Sequence, residues 1–169
     1  MTTWVALLRA VNVGGTGMLP MATLRALCTE AGFDDVRTYI ASGNVVLRSA
    51  LPAREVKTLL EEALAAHMGR PVTVIVRSAD ELATVQARNP FAEAPGNRVV
   101  AVFLDAPPPA DAVDNAKNVQ NERIATGARE IYIDYADGMA ASKLSVPAAR
   151  AGTARNMNTV ARLVTMAAE

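Results

Sequence analysis

The chain has 169 residues, half of them apolar and a fifth charged, and its 17 Lys plus Arg balance its 17 Asp plus Glu. This composition fits one domain or two small subdomains sharing a core, and it excludes wholesale disorder. Zero net charge excludes indiscriminate coating of nucleic acid but leaves room for a local patch. One cysteine, Cys28, and one histidine, His67, exclude an internal disulfide and a Cys/His zinc site, so no metal is expected. No flavin or nicotinamide signature is visible, and no cofactor is expected. Arg9 interrupts the first apolar run and no basic leader precedes it, which argues against a signal peptide. The longest clean apolar run, Val99 to Leu104, is too short to span a bilayer. The expected setting is the cytoplasm, with no membrane partner.

In chain order, Trp4 to Val13 reads as a strand broken by glycines. Pro20 suits a helix start, and Met21, Leu24, Leu27, Cys28 and Ala31 follow at helical spacing until Gly32. Val36 to Ile40 and Val45 to Arg48 read as strands joined by a hairpin at Ser42-Gly43-Asn44. Pro52 opens a second helix with a stripe at Val56, Leu59, Leu60, Ala63 and Leu64, closed by Gly69. Val72 to Val76 is a strand, and Ser78-Ala-Asp-Glu81 is a capping box that starts a short helix. The order β-α-β-β-α-β is that of the ferredoxin-like split βαβ motif.

The order then partly repeats. Val99 to Leu104 is a strand, and Pro107-Pro108-Pro109 leads a predicted helix to about Val119. Glu122 to Thr126 and Glu130 to Tyr135 form a predicted hairpin around Gly127. Two helices are predicted at Ser142–Arg150 and Met157–Ala168, the last standing where a strand would complete the motif. The expected architecture is α+β, with two ferredoxin-like (split βαβ) subdomains, the second irregular and carrying a C-terminal helix. The expected division is 1–90, a linker at 91–98, and 99–169. The repeat is one of element order, without a residue-level match.

The acids are unevenly placed. Residues 1–29 and 138–168 contain none, while the segment between them holds 16 acids against 11 bases. The acid-free ends also hold polar and glycine-rich strings. If the ends meet, they form a local positive site, which suggests an anionic ligand. Asn12-Val-Gly14-Gly15-Thr-Gly17 either brings backbone N–H groups to an anion or is a plain strand–helix loop. Arg9, in phase with Val5, Leu7 and Val11, either pairs with a carboxylate or reaches a ligand. Ser42 and Asn44 either close a tight hairpin or bond a ligand. Ser142 reads as a helix N-cap, which puts Lys143 in a first turn where a bound anion would offset its charge. Arg155 precedes the last helix, Asn156 or Asn158 can cap it, and Arg162 lies about two turns on. His67 reads as a helix C-terminal residue and Cys28 as core.

Taken together, Leu7-Leu8-Arg9-Ala10-Val11-Asn12-Val13-Gly14-Gly15, Thr38-Tyr39-Ile40-Ala41-Ser42-Gly43-Asn44-Val45-Val46 and Arg155-Asn156-Met157-Asn158-Thr159-Val160 resemble the bacterial domain-of-unknown-function family numbered 1697. Pro20-Met21, Asn89-Pro90-Phe91, and Tyr135-Ala-Asp-Gly138 followed by Ser142-Lys143-Leu144 match it in the same order. The resemblance implies a small cytosolic protein of two ferredoxin-like parts and implies no activity. The family usually has Gly where Ala10 stands, Trp at Met157, and Gly-Arg at Ala140-Ala141.

Three functional readings stay open. The first is a protein, enzymatic or not, that binds a small phosphate- or nucleotide-like anion through Arg9, Asn12, Gly14, Gly15, Ser42, Asn44, Lys143, Arg155, Asn156 and Asn158. The second is a structural or regulatory protein whose polar strings lock the subdomains. The third is an RNA- or DNA-binding module, for which only seven aromatics are available and Tyr39, Tyr132 and Tyr135 are the strand candidates. No catalytic residue and no oligomeric state can be read from the chain.

Overall fold

A computed structural model describes residues 1–14 and 17–169. Gly15 of the glycine-rich loop therefore lies outside the described residues. The chain forms two compact units, Met1–Leu82 with Leu163–Glu169, and Ala83–Arg162.

The first unit contains β1 (Thr2–Leu8), α1 (Met21–Glu30), β2 (Asp34–Tyr39), β3 (Asn44–Ser49), α2 (Ala53–Met68) and β4 (Val74–Ser78). The strands are ordered β2-β3-β1-β4 with every neighbour antiparallel, which is the ferredoxin-like arrangement. Strand alternation divides the sheet into two faces. Ala6 and Leu8, Val45 and Leu47, and Val74 and Val76 pack against Leu24 and Cys28 of α1 and Val56, Leu60 and Leu64 of α2. The other face carries Val5 and Leu7, also fully buried. On that side Arg37 of β2 donates to the Met166 carbonyl (2.9 Å), tying the C-terminal segment to the sheet. Helix α2 ends as its sequence demands: Gly69 takes φ +71° and returns its N–H to the Ala65 carbonyl (3.0 Å).

α3 (Ala79–Ala87) begins at the capping box expected from the sequence. The Ser78 N–H donates to Glu81 Oε1 (2.8 Å) and the Glu81 N–H to Ser78 Oγ (3.1 Å).

The second unit contains β5 (Val99–Phe103), β6 (Arg123–Thr126), β7 (Glu130–Asp134) and β8 (Thr153–Asn156); α4 (Met157–Ala168) follows at once, and its residues from Leu163 on belong to the first unit. The second unit's strand order, β6-β7-β5-β8, repeats that of the first sheet strand for strand. Three expectations are corrected here. The segment after Pro107 is a run of turns, not a helix to Val119. Its three prolines remove N–H donors, and Asn118 takes φ +59°, which no helix accommodates. Ser142–Arg150 is not a helix either: two short 3-10 turns, Met139–Ala141 and Pro147–Ala149, flank an extended stretch in which Lys117 and Ser145 form a β-bridge. The closing strand is present as the four-residue β8, just ahead of the last helix. One face of this sheet, Val100, Val102, Ile131 and Ile133, packs against Ala116, Leu144, Val146, Ala148 and Ala149 from these irregular connections.

Candidate functional site

In the first unit one end of the sheet gathers the end of β1, the start of α1, the β2–β3 loop, the end of α2 and the start of β4. This loop pole holds the amino-terminal group of sequence candidates. Arg9 does not lie inside the strand among apolar side chains; β1 ends at Leu8, and Arg9 is exposed. Its backbone N–H donates to the Thr73 carbonyl (2.9 Å).

Asn12 acts as a clasp. Its Nδ2 donates to the Leu19 and Ala41 carbonyls, both at 2.8 Å, and its Oδ1 accepts the Leu19 N–H at 2.5 Å. These bonds close the 12–19 loop and fasten it to the β2–β3 loop. Asn44 is fully buried, and its Nδ2 donates to the Tyr39 carbonyl (2.8 Å) and to Ser42 Oγ (3.0 Å). Asn44 is therefore the first residue of β3, paired with Tyr39, and the loop is Ile40 to Gly43. Gly43 has φ +90°, and a Cβ there would meet Val11 Cγ2 at 2.8 Å and Leu8 Cβ at 3.0 Å. Only glycine lets the two loops approach this closely.

Between these loops and α1 lies a concavity of about 560 Å³, lined by Asn12, Val13, Gly14, Gly17, Met18, Leu19, Pro20, Met21 and Ala41. Its wall is mainly apolar. Val13 is 55% exposed, Met18 80%, and the neighbouring Ile40 47%. Helix α1 starts at this wall with no side-chain cap and no acid in its first turn. Its first helical hydrogen bond runs from Leu24 N–H to the Pro20 carbonyl, so the N–H groups of Met21, Ala22 and Thr23 lie ahead of the helical ladder. At the same pole Arg70 donates to the Ala10 carbonyl (3.1 Å). Ala10, Asn12 and Ile40 all stand in the left-handed region, at φ +55°, +55° and +50°. The +55° at position 10 gives a physical reason why glycine suits it.

The carboxyl-terminal candidates belong to the second unit. Arg155 does not simply precede the last helix; it lies in β8 opposite Ala101. It is 9% exposed and donates to the Ala154 carbonyl (2.9 Å), and burial pulls its guanidinium down to about 10. Asn156 caps α4, its Oδ1 accepting the Thr159 N–H (2.9 Å). Asn158 lies against Gly96, where an added Cβ would collide with its Oδ1, and the Met157 N–H donates to the Gly96 carbonyl (3.0 Å). Met157 is itself buried. Ser142 does not cap an α-helix; its hydroxyl donates to Glu122 Oε2 (2.5 Å) and accepts the Leu144 N–H (3.2 Å). That hydroxyl and the Gln120 N–H hold the Glu122 carboxyl below its ordinary range. Lys143 is exposed in the extended stretch, so the first-turn position inferred for it does not exist.

Acids of the middle segment are also engaged within this unit. Arg123 bonds Asp134 through Nε (2.9 Å) and Nη2 (2.6 Å), reaches Glu93 (2.6 Å), and covers the Phe91 ring at 4.7 Å. Tyr132, one of the strand aromatics, is buried, and its hydroxyl donates to the Val85 carbonyl (2.7 Å).

Sequence reasoning missed two features. Arg77 in β4 is 1% exposed, opposite Val5, and donates to the Val76 carbonyl (3.2 Å). A single Arg after Val-Ile-Val reads as the solvated end of a strand. The apolar rim of the concavity was also missed, although Met18 among glycines and Ile40 beside a turn were visible signals. Among the described residues, no group of three His, Cys, Asp or Glu could hold a metal, and no helix is long and apolar enough to cross a membrane.

The class defined by this geometry is a pair of ferredoxin-like units, the first presenting a loop pole with a concavity. A family model described as protein of unknown function (DUF1697) matches residues 1–132, and the chain belongs to that family. It is similar over 98% of its length, and 98% of the other chain, to a solved structure of the conserved bacterial protein SP0830 from Streptococcus pneumoniae. The identity is 23% and the TM-score 0.77, a likeness of fold. Comparison with curated proteins gives no match.

Proposed function

We propose that this protein binds a small anionic ligand at the loop pole of its first unit. The observation that carries the reading is the concavity itself. Its volume of about 560 Å³ is of ligand size, and one wall is the uncapped, acid-free start of α1. N–H groups at a helix start, together with the helix dipole, favour negative charge. Asn12 and Asn44 are the frame of this site rather than its ligands, because their side-chain amides are engaged with Leu19, Ala41, Tyr39 and Ser42.

The same hydrogen bonds favour a second reading, in which the polar strings serve stability alone. The two separate experimentally. Ala22→Asp puts an acid in the first turn of α1, where it favours the helix by about 0.3–1 kcal/mol but repels an anion. Melting curves of wild type and variant are measured with phosphate, sugar phosphates, nucleotides and fatty acids. Ligand binding predicts a shift in wild type that the variant loses while its unliganded melt stays equal or rises. If no anion shifts the wild type, the framework reading stands.

A further inference from the structure

We infer that the ligand is an amphiphile: an unbranched hydrocarbon chain ending in one carboxylate or phosphate. This rests on the reading of the loop pole given above and names its ligand class.

The concavity's described wall contains no aromatic ring and no carboxylate. A nucleoside needs a stacking surface for its base, and a sugar needs acceptors for its hydroxyls. The polar side chain present, Asn12, already donates through Nδ2 to two carbonyls and accepts the Leu19 N–H at Oδ1. The Ala41 carbonyl accepts one hydrogen bond from the same amide. The first-turn N–H groups of α1 can donate to a hydroxyl oxygen, but Asn12 Oδ1, the side-chain acceptor of the described wall, is already engaged, and each hydroxyl proton desolvated without a partner costs about 1–3 kcal/mol.

What the concavity offers is apolar. Val13, Met18, Leu19, Pro20 and Met21 line it, and Met68 of α2 approaches Gly17 from beneath. Methionine is unbranched and polarisable, so it shapes itself to a flexible chain. Val13, Met18 and Ile40 remain exposed, and such a cluster on a soluble unit marks a binding surface.

Charge fixes the other end of the ligand. Of the pole's described segments, 9–14, 17–20, 40–43 and 69–73 contain Arg9 and Arg70 and no Asp or Glu; the carboxylates nearest them are Glu61 and Glu62 of α2, beside Pro71–Thr73, of which Glu61 accepts the Val74 N–H (2.9 Å) and Lys57 Nζ (3.0 Å). The acids of the sheet's opposite end, Asp34, Asp35 and the first-turn Glu55, are a strand length away. An anionic head is complementary to this pole and a cationic or zwitterionic one is not.

The test is a calorimetric and melting series with the full chain. Hexanoate, octanoate and decanoate, then decyl phosphate, decanol, inorganic phosphate and AMP, are the probes. The expected result is binding of decanoate and decyl phosphate, with affinity rising about fourfold per added methylene, equivalent to about 0.8 kcal/mol each. At 100 times the dissociation constant the melt should rise by roughly 5–10 °C. Met18→Glu, at an exposed position that leaves the fold intact, should weaken decanoate at least tenfold, and Met18→Leu should restore it. Should AMP or inorganic phosphate bind as tightly as decyl phosphate with no dependence on chain length, the amphiphile is wrong and the anion site stands. Decanol binding as tightly as decanoate overturns the anionic reading, and no shift with any probe overturns both.

Discussion

The two units have the same strand order and different covers. In the first, α1 and α2 lie on the sheet, and both begin at prolines and end near glycine. In the second, a run of turns and two 3-10 turns do the same work with Ala116, Leu144, Val146, Ala148 and Ala149. Sheet order therefore does not depend on helical connections; it requires only that one apolar face be buried. The ends of the two sheets are more alike than their covers. β4 runs Arg77, cap residue Ser78, helix; β8 runs Arg155, cap residue Asn156, helix. Each fourth strand buries an arginine two residues before a helix. The units differ again in what they leave exposed. The second spends its polar strings on caps and turns, while the first uses Asn12 and Asn44 to frame an open apolar pole.

The largest effects should come from the paired arginines. Arg77→Ala and Arg155→Ala should each cost about 2–5 kcal/mol, the scale for truncating a large buried side chain, with Arg77, the more deeply buried, costing more. Urea denaturation of both variants checks this, and a loss below 1 kcal/mol at either site would break the equivalence. Next comes Gly43→Ala. Strain at φ +90° and the approach of Val11 and Leu8 should cost about 2–4 kcal/mol and lower the melt by roughly 4–16 °C. Gly152→Ala is its counterpart in the second unit, where the added Cβ meets Val102, Leu104 and the Phe103 carbonyl without a positive φ. It should cost less, about 1–3 kcal/mol.

Tyr132→Phe probes the second sheet through pH. Losing the bond to Val85 should cost about 1 kcal/mol near neutrality. Burial raises the Tyr132 phenol to about 12, whereas in the unfolded chain it titrates near 10. The unfolded state therefore releases its proton first, and the stability linked to Tyr132 is intact below pH 10 and lost as pH climbs toward 12. Urea midpoints from pH 7 to 11 should show wild type and variant converging above pH 10. The smallest effect is Ala10→Gly. Relief of φ +55° should stabilise the chain by about 0.5–1 kcal/mol and raise the melt by roughly 1–4 °C.

Much of the first unit was legible because its signals were local. Pro20, Gly32, Pro52, Gly69 and the Ser78–Glu81 box mark ends, and the stripes between them have helical period. The second unit was harder to read for the same physical reason. Alanine-rich stretches such as 110–119 and 146–151 carry helix propensity that tertiary packing overrides. β8 has no apolar alternation, since its buried positions are Thr153 and Arg155. At the site, the loops and their asparagines were legible, but the sequence could not tell a side chain that binds a ligand from one that clasps a backbone. That distinction rests on contacts such as Asn12 with Leu19 and Ala41, which span distant parts of the chain.

An anion site at the loop pole of the first unit makes a prediction that can be read residue by residue. The decisive measurement is an amide chemical-shift titration of the full chain with decyl phosphate. The predicted result is a set of shifts that, among the described residues, is confined to 9–14, 17–23, 40–43 and 69–73 and is led by the first-turn amides of Met21, Ala22 and Thr23. Shifts centred instead on Lys143 and residues 153–158, or no saturable shifts at all, would contradict it.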